Sequence, residues 1–126
     1  MINNSIFGFK GKILRLDLSE ERVTVEPLNT DYIRRFIGGR GLAARMLLDE
    51  LDAGVDPLSP ENKMIFATGP ATGTIVPGSS RYLLVTKSPE TNLFLDTYAG
   101  GYFPAEIKYA GYDILIIEGK AKKPLY

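Results

Sequence analysis

The chain has 126 residues, 44% hydrophobic and 24% charged, the proportions of one globular domain long enough to bury a core. Fifteen Lys plus Arg balance fifteen Asp plus Glu, so no net field draws nucleic acid or an anionic membrane. Cysteine and histidine are both absent, which excludes a disulfide, a thiolate nucleophile, a zinc finger or an iron–sulfur cluster of its own, and removes the commonest general base.

Taken in chain order, Met1-Ile2-Asn3-Asn4-Ser5 carries no secretory pattern, and no apolar run reaches membrane-spanning length, so the cytoplasm is the expected location. Lys12 to Leu18 alternates, with Leu14, Leu16 and Leu18 on one face. Ser19 to Arg22 is a polar link, and Val23 to Glu26 alternates again, which predicts an antiparallel hairpin. Thr30 or Asp31 is expected to cap a short helix with Tyr32, Ile33, Phe36 and Ile37 on one face, ended by Gly38-Gly39. A second helix is predicted from about Leu42 to Leu51, burying Leu42, Met46 and Leu47. Prolines 57 and 60 mark a loop, and Met64 to Ala67 reads as a strand buried on both faces. A long loop rich in glycine, proline and small hydroxyl residues follows from Gly69 to Ser80, then strands at Tyr82 to Thr86, Leu93 to Leu95 and Tyr112 to Ile117. Lys122-Lys123-Pro124-Leu125-Tyr126 reads as the opening of a further strand, so truncation is expected there rather than a natural end.

The densest functional signal is Ser80-Arg81-Tyr82 together with Thr97-Tyr98-Ala99-Gly100-Gly101-Tyr102-Phe103-Pro104-Ala105-Glu106. Pro104 suits a first helical turn and Gly111 the position past the helix end. Glycines let backbone N–H groups approach a ligand, a helix start adds partial positive charge, and Arg81 offers a permanently charged fork. Together they form a candidate seat for a phosphate or other anion. The same residues also read as plain turn chemistry beside a solvated arginine. Gly38-Gly39-Arg40-Gly41 is either a second anion loop or a helix–helix turn. Asp96, Glu106 and Asp113 are candidate carboxylates for acid–base work or Mg²⁺, but nothing in their spacing fixes them together, and surface or capping roles are the preferred reading. Tyr98, Tyr102, Tyr109 and Tyr112 read as core and interface aromatics.

Several pieces occur in a fixed order: Gly38-Gly39-Arg40-Gly41-Leu42-Ala43, Asp56-Pro57-Leu58-Ser59-Pro60-Glu61-Asn62-Lys63, Gly69-Pro70-Ala71-Thr72-Gly73-Thr74 and Gly100-Gly101-Tyr102-Phe103-Pro104-Ala105-Glu106. With Arg81-Tyr82, Thr86-Lys87-Ser88-Pro89 and Ala110-Gly111-Tyr112-Asp113, the chain from about Gly8 to Tyr126 resembles the N-terminal domain of the tungsten-containing aldehyde ferredoxin oxidoreductases. The resemblance implies an α+β fold of large mixed or antiparallel β-sheets with a few short helices. It implies that residues 1–126 form one N-terminal domain on which a tungsten bis-pterin (tungstopterin) cofactor with Mg²⁺ lies, closed over by later helical domains. An aldehyde would be oxidised to a carboxylic acid, and electrons would pass through a [4Fe–4S] cluster of those domains to ferredoxin.

Carried over by position, Arg81 matches an arginine pairing with the anionic part of the cofactor, and Gly100 a glycine whose backbone approaches the pterin, with Gly101 permitting the same passage. Tyr98 stands where the best-known family member has an asparagine that helps hold Mg²⁺ through its backbone carbonyl. The cluster cysteines and acid–base residues of the family are not in this sequence, so the resemblance implies no catalytic residue here and an inactive isolated chain. The implied partners are the remaining domains or a partner subunit, ferredoxin and an aldehyde, with a homodimer among the allowed assemblies. A stand-alone phosphate- or pterin-binding module and a non-catalytic partner subunit are the alternative readings.

Overall fold

The computed structural model describes residues 6–126; Met1 to Ser5, whose sequence lacks a secretory pattern, lie outside them. The elements run β1 (Lys12–Asp17), β2 (Arg22–Pro27), α1 (Thr30–Phe36), α2 (Gly39–Glu50), β3 (Lys63–Thr68), β4 (Arg81–Lys87), β5 (Phe94–Gly100), α3 (Phe103–Tyr109) and β6 (Ile114–Glu118). The expected α+β class is therefore present as one mixed sheet of six strands in the order β2-β1-β6-β3-β4-β5. The hairpin of β1 and β2 and the run β3-β4-β5 are antiparallel. The last strand, β6, lies between these groups, parallel to β1 and antiparallel to β3. No described helix is long and apolar enough to cross a membrane.

One face of the sheet is sealed by α1 and α2. Ile13, Ile114, Ile116, Ile65, Ala67, Leu83 and Val85 pack there against Ile33, Leu42, Ala43, Met46 and Leu47. The register explains the selection: Ile13 stands beside Ile114, Ile116 opposite Ile65, and Ile65 opposite Val85, so one pleat parity of four adjacent strands points at the helices. Leu14 and Leu16 take the opposite parity. Leu14 and Leu16 do share one face, as the alternation implies, but it is the face turned away from the helices, and Ile13 is the buried residue of β1. Arg15 shares Ile13's parity at the end of the helical layer, where it meets Glu26, Glu50 and Glu118.

Strand β3 is buried on one face only: Ile65 and Ala67 are inaccessible while Met64 is 40% exposed. Its outer face carries an aromatic cluster in which Phe66, Tyr82 and Phe103 pack at centroid distances of 5.2 to 6.3 Å, two of the contacts edge-to-face. That cluster anchors α3 on the second face of the sheet.

Local boundaries follow cap chemistry. The cap of α1 is Asn29, whose side chain accepts from the Asp31 N–H at 2.8 Å; Thr30 and Asp31 are already helical. Ile37 adopts φ +64° at the end of α1 and is 72% exposed, leaving the apolar face expected of it. Gly38 precedes α2, which starts at Gly39 rather than Leu42. Pro104 lies in the first turn of α3 and Gly111 just past its end, as expected.

Candidate cofactor-binding site

Strand β4 brings Arg81 into register with Gly100 on β5. The glycine pair does not stand free as a loop: β5 runs through Gly100, and the turn into α3 begins at Gly101, whose φ of +98° requires glycine. Loop 69–80 folds back over the same end of the sheet. Between loop and α3 lies an open depression of about 490 Å³, with Arg81 and Gly100 both on its wall beside Val76, Tyr102 and Tyr109.

Arg81 is exposed and takes part in none of the ion pairs formed among the described residues. Its charge is thus available to an anion in the depression. Gly100 adds an open approach: a Cβ there would meet only the Ser80 carbonyl oxygen, at 3.5 Å. Helix α3 has seven residues, too short to contribute much axial dipole, so the arginine rather than the helix start supplies the positive potential.

The loop is held by two hydroxyls. Thr72, 3% exposed, accepts from the Gly69 N–H at 3.2 Å and directs its proton at the carbonyls of Ser79 (3.1 Å) and Arg81 (3.3 Å). Ser80 donates to the Gly101 carbonyl at 2.6 Å.

Tyr98 does not share the wall of the depression. Its side chain has the parity of Asp96 and Gly100, and its phenol donates to Asp96 at 2.8 Å, with Arg40 of α2 3.5 Å from the same carboxylate oxygen. The anionic acceptor holds this phenol above its ordinary pKa, desolvation acts the same way, and Arg40 opposes both. The backbone of Tyr98 lies on the outermost strand, paired only with β4, so alternate carbonyls along β5 face away from the sheet.

The three candidate carboxylates are not brought together, and no group of three or more His, Cys, Asp or Glu suited to a metal occurs among the described residues. Asp96 serves Tyr98 and Arg40, and Glu106 is exposed on α3. Asp113 is fully buried, contrary to a surface role. Its oxygens accept from the Lys10 N–H at 3.0 and 2.9 Å, the Gly11 N–H at 2.6 Å and the Lys108 ammonium at 2.6 Å. Lys108 also donates to the Gly8 carbonyl at 2.6 Å and sits 4.9 Å from the Phe9 ring centroid. This pair binds residues 8–11 to α3, and Gly8 presses against Pro70 so closely that a Cβ would stand 2.7 Å from its carbonyl oxygen. Sequence reasoning missed the hub; its one local signal is the five-residue spacing of Lys108 and Asp113 around Gly111. Three of the four tyrosines are not core: Tyr98, Tyr102 and Tyr109 are 49%, 88% and 66% exposed.

Fold and site together define a mixed-sheet domain that presents an arginine-bearing depression at one end of its sheet. Residues 13–126 match the family described as aldehyde ferredoxin oxidoreductase, N-terminal domain. The chain belongs to that oxidoreductase family. It is 50% identical over 121 residues to the tungsten-containing aldehyde ferredoxin oxidoreductase of Pyrococcus abyssi, covering 96% of this chain and 20% of that protein. It is 41% identical over 124 residues, with the same coverage, to the WOR-like subunit of an aliphatic sulfonate oxidoreductase of Pyrococcus furiosus. Among solved structures, the active-site complex BamBC of benzoyl coenzyme A reductase with 1,5-dienoyl-CoA superposes with a TM-score of 0.91 at 35% identity, over 93% of this chain and 18% of that one. The chain thus spans about one fifth of the length of these curated relatives.

Proposed function

We propose that this domain is the cofactor-binding base of a tungsten bis-pterin oxidoreductase that converts an aldehyde to a carboxylic acid and delivers the electrons through a [4Fe–4S] cluster to ferredoxin. The observation that carries the reading is the unpaired Arg81 guanidinium beside the bare backbone of Gly100 in an open depression, in a family whose curated members include tungsten enzymes. The residues suit the cofactor's anionic portion: Arg81 would pair with it, while Gly100 and Gly101 would admit it close to the backbone. A Mg²⁺ ion accompanying the cofactor would take the Tyr98 backbone carbonyl, a contact that survives a change of side chain. When bound, the cofactor supplies the two-electron chemistry at the metal. The residues of this domain bind and orient it and offset its negative charge.

The remaining domains of the same enzyme, or a partner subunit, complete the site. The second sheet face supports this dependence over an autonomous module: Leu14, Leu16, Leu84, Leu115 and Ile117 are only half-buried there and Met64 is exposed. Residues 1–126 on their own are accordingly expected to be inactive. The test is metal and pterin analysis of the anaerobically purified product of the complete reading frame containing this sequence, beside the 126-residue chain and an Arg81→Ala variant of the longer protein. Tungsten and pterin in the longer protein, with loss from the Arg81 variant, are expected. Their absence from a folded product made with tungstate available would refute the reading.

A further inference from the structure

The site assigned to Arg81 and Gly100 depends on two chain segments that are distant in sequence, and two side-chain hydroxyls join them. Thr72 reaches the carbonyls on both sides of Ser80, and Ser80 reaches the carbonyl of Gly101. The path therefore runs unbroken from the Gly69 amide, through Thr72, across the Ser79–Arg81 backbone, through Ser80, to the turn that follows Gly100. Arg81 is the first residue of β4 and Gly100 the last of β5. Below this pair the ladder holds the strands in register; above it, among these residues, the hydroxyls take over.

We infer that Thr72 and Ser80 are positioning residues that set the Arg81 backbone against the Gly100-Gly101 turn, so that guanidinium and backbone amides address one anion. The inference rests on reading Arg81 with Gly100 as an anion-holding pair, and extends it to two residues that do not themselves need to touch the ligand. The chemistry favours such a device. An arginine has a long, rotamer-rich side chain, and each torsion frozen on binding costs affinity unless its base is already placed. A loop of glycine, proline and small residues does not hold that base alone. Thr72 is buried, and its hydroxyl both accepts from the Gly69 N–H and donates toward the Ser79 and Arg81 carbonyls. Its methyl group could be kept by valine, but its three polar contacts could not.

The two hydroxyls differ usefully. Thr72 is buried, so its loss also weakens the fold by taking the acceptor from the Gly69 N–H and the hydroxyl donor from the Arg81 carbonyl, while the Ser79 carbonyl keeps the Arg81 N–H at 2.9 Å. Ser80 is only half-buried, so its loss is tolerated by the fold and reports on position alone.

The experiment is a titration of the 15N-labelled 126-residue chain with sodium pyrophosphate, followed by the Gly100 and Gly101 amide signals and the Arg81 Nε–H signal. The wild type is compared with Thr72→Val, Thr72→Ser, Ser80→Ala and Arg81→Ala, each at a temperature where its spectrum is that of a folded chain. The wild type is expected to show saturable shifts at all three signals. Thr72→Val and Ser80→Ala should weaken binding about tenfold, the upper scale of one hydrogen bond between neutral groups, and Thr72→Ser should restore it. Wild-type affinity in folded Thr72→Val and Ser80→Ala, with Arg81→Ala impaired, overturns the positioning role while leaving the anion site standing. Should Thr72→Val fail to fold, Ser80→Ala decides alone. No response in the wild type, or an unchanged response in Arg81→Ala, removes the anion reading itself.

Discussion

Replacing Lys108 by methionine tests whether the buried hub holds residues 8–11 against α3. The ammonium is 4% exposed and its partner carboxylate 1%, so water offers neither group an alternative. Methionine preserves most of the side-chain volume, which keeps cavity formation out of the measurement. What changes is electrostatic: Asp113 retains the Lys10 and Gly11 amides but loses its only ion-pair partner among the described residues, and the Gly8 carbonyl loses its donor. Removing one member of a buried pair costs about 3–5 kcal/mol. For a domain of this size that lowers Tm by about 10 °C or more. Asp113→Leu should cost at least as much, since it strips the acceptor from the Lys10 and Gly11 N–H groups as well. Because those two amides stay unpaired in the double variant, it should not return to wild-type stability, although the two effects should fall short of additivity by about 1–3 kcal/mol. Urea unfolding followed by circular dichroism reads all four states of the cycle. A Lys108→Met cost below about 1 kcal/mol with an unchanged m-value would refute the reasoning, because breaking a buried ion pair costs several times that.

Arg15 meets Glu26 at 2.7 Å, Glu50 at 2.9 Å and Glu118 at 3.2 Å, and these carboxylates, led by its hydrogen bond to Glu50, hold its pKa above the usual guanidinium range. A raised folded-state value places its stabilisation below the unfolded pKa, so the pairing persists through ordinary alkaline pH. Arg15→Met should cost about 1–3 kcal/mol by urea unfolding, and a loss unchanged in 1 M salt would contradict the electrostatic account. The raised pKa of the Tyr98 phenol means that its bond to Asp96 stabilises the fold below the ordinary tyrosine value and is lost as pH rises through the raised one. Asp96→Asn should bring the phenol titration down, as read by ultraviolet difference spectroscopy; no movement would show that Asp96 is not its cause. Gly101→Ala should destabilise by about 1–2 kcal/mol because of its φ. Gly100→Ala should leave Tm within a few degrees yet weaken pyrophosphate binding; equal binding would mean that the anion does not approach that backbone.

The elements with local signals were legible. The polar Ser19 to Arg22 link between two alternating runs announces the hairpin, and Pro104 with Gly111 brackets α3 closely. The cap of α1 was expected at Thr30 or Asp31 and falls at Asn29, one residue earlier; Asn, Thr and Asp differ too little in capping preference for the sequence to place it. The facing of β1 was not legible, because Ile13 and Leu14 give both parities an apolar residue and only pairing with β6, about a hundred positions away, decides which one meets the helices. The same nonlocality hid the extension of β5 through Gly100, which follows from its pairing with Arg81. Of the candidate site, Arg81 and Gly100 were visible as residue types that suit an anion, and they do share one depression. Thr72 and Ser80 stand in the quoted stretches without a role of their own, since a hydroxyl in a glycine-rich loop looks the same whether it faces solvent or ties two segments together.

The insertion of β6 between β1 and β3 governs how this domain comes into being. Until the residues around Ile114–Glu118 have been synthesised, the hairpin and the three-stranded meander are separate pieces, each with an open inner edge. Those edges are apolar and unpaired, the condition in which strands join wrong partners. The domain therefore cannot assemble progressively from its beginning; it closes in one late event that joins residues about a hundred positions apart, a slow step by loop-closure entropy. A nascent chain stalled before Ile114 would offer two half-sheets with unpaired inner edges, which the five residues of β6 then close.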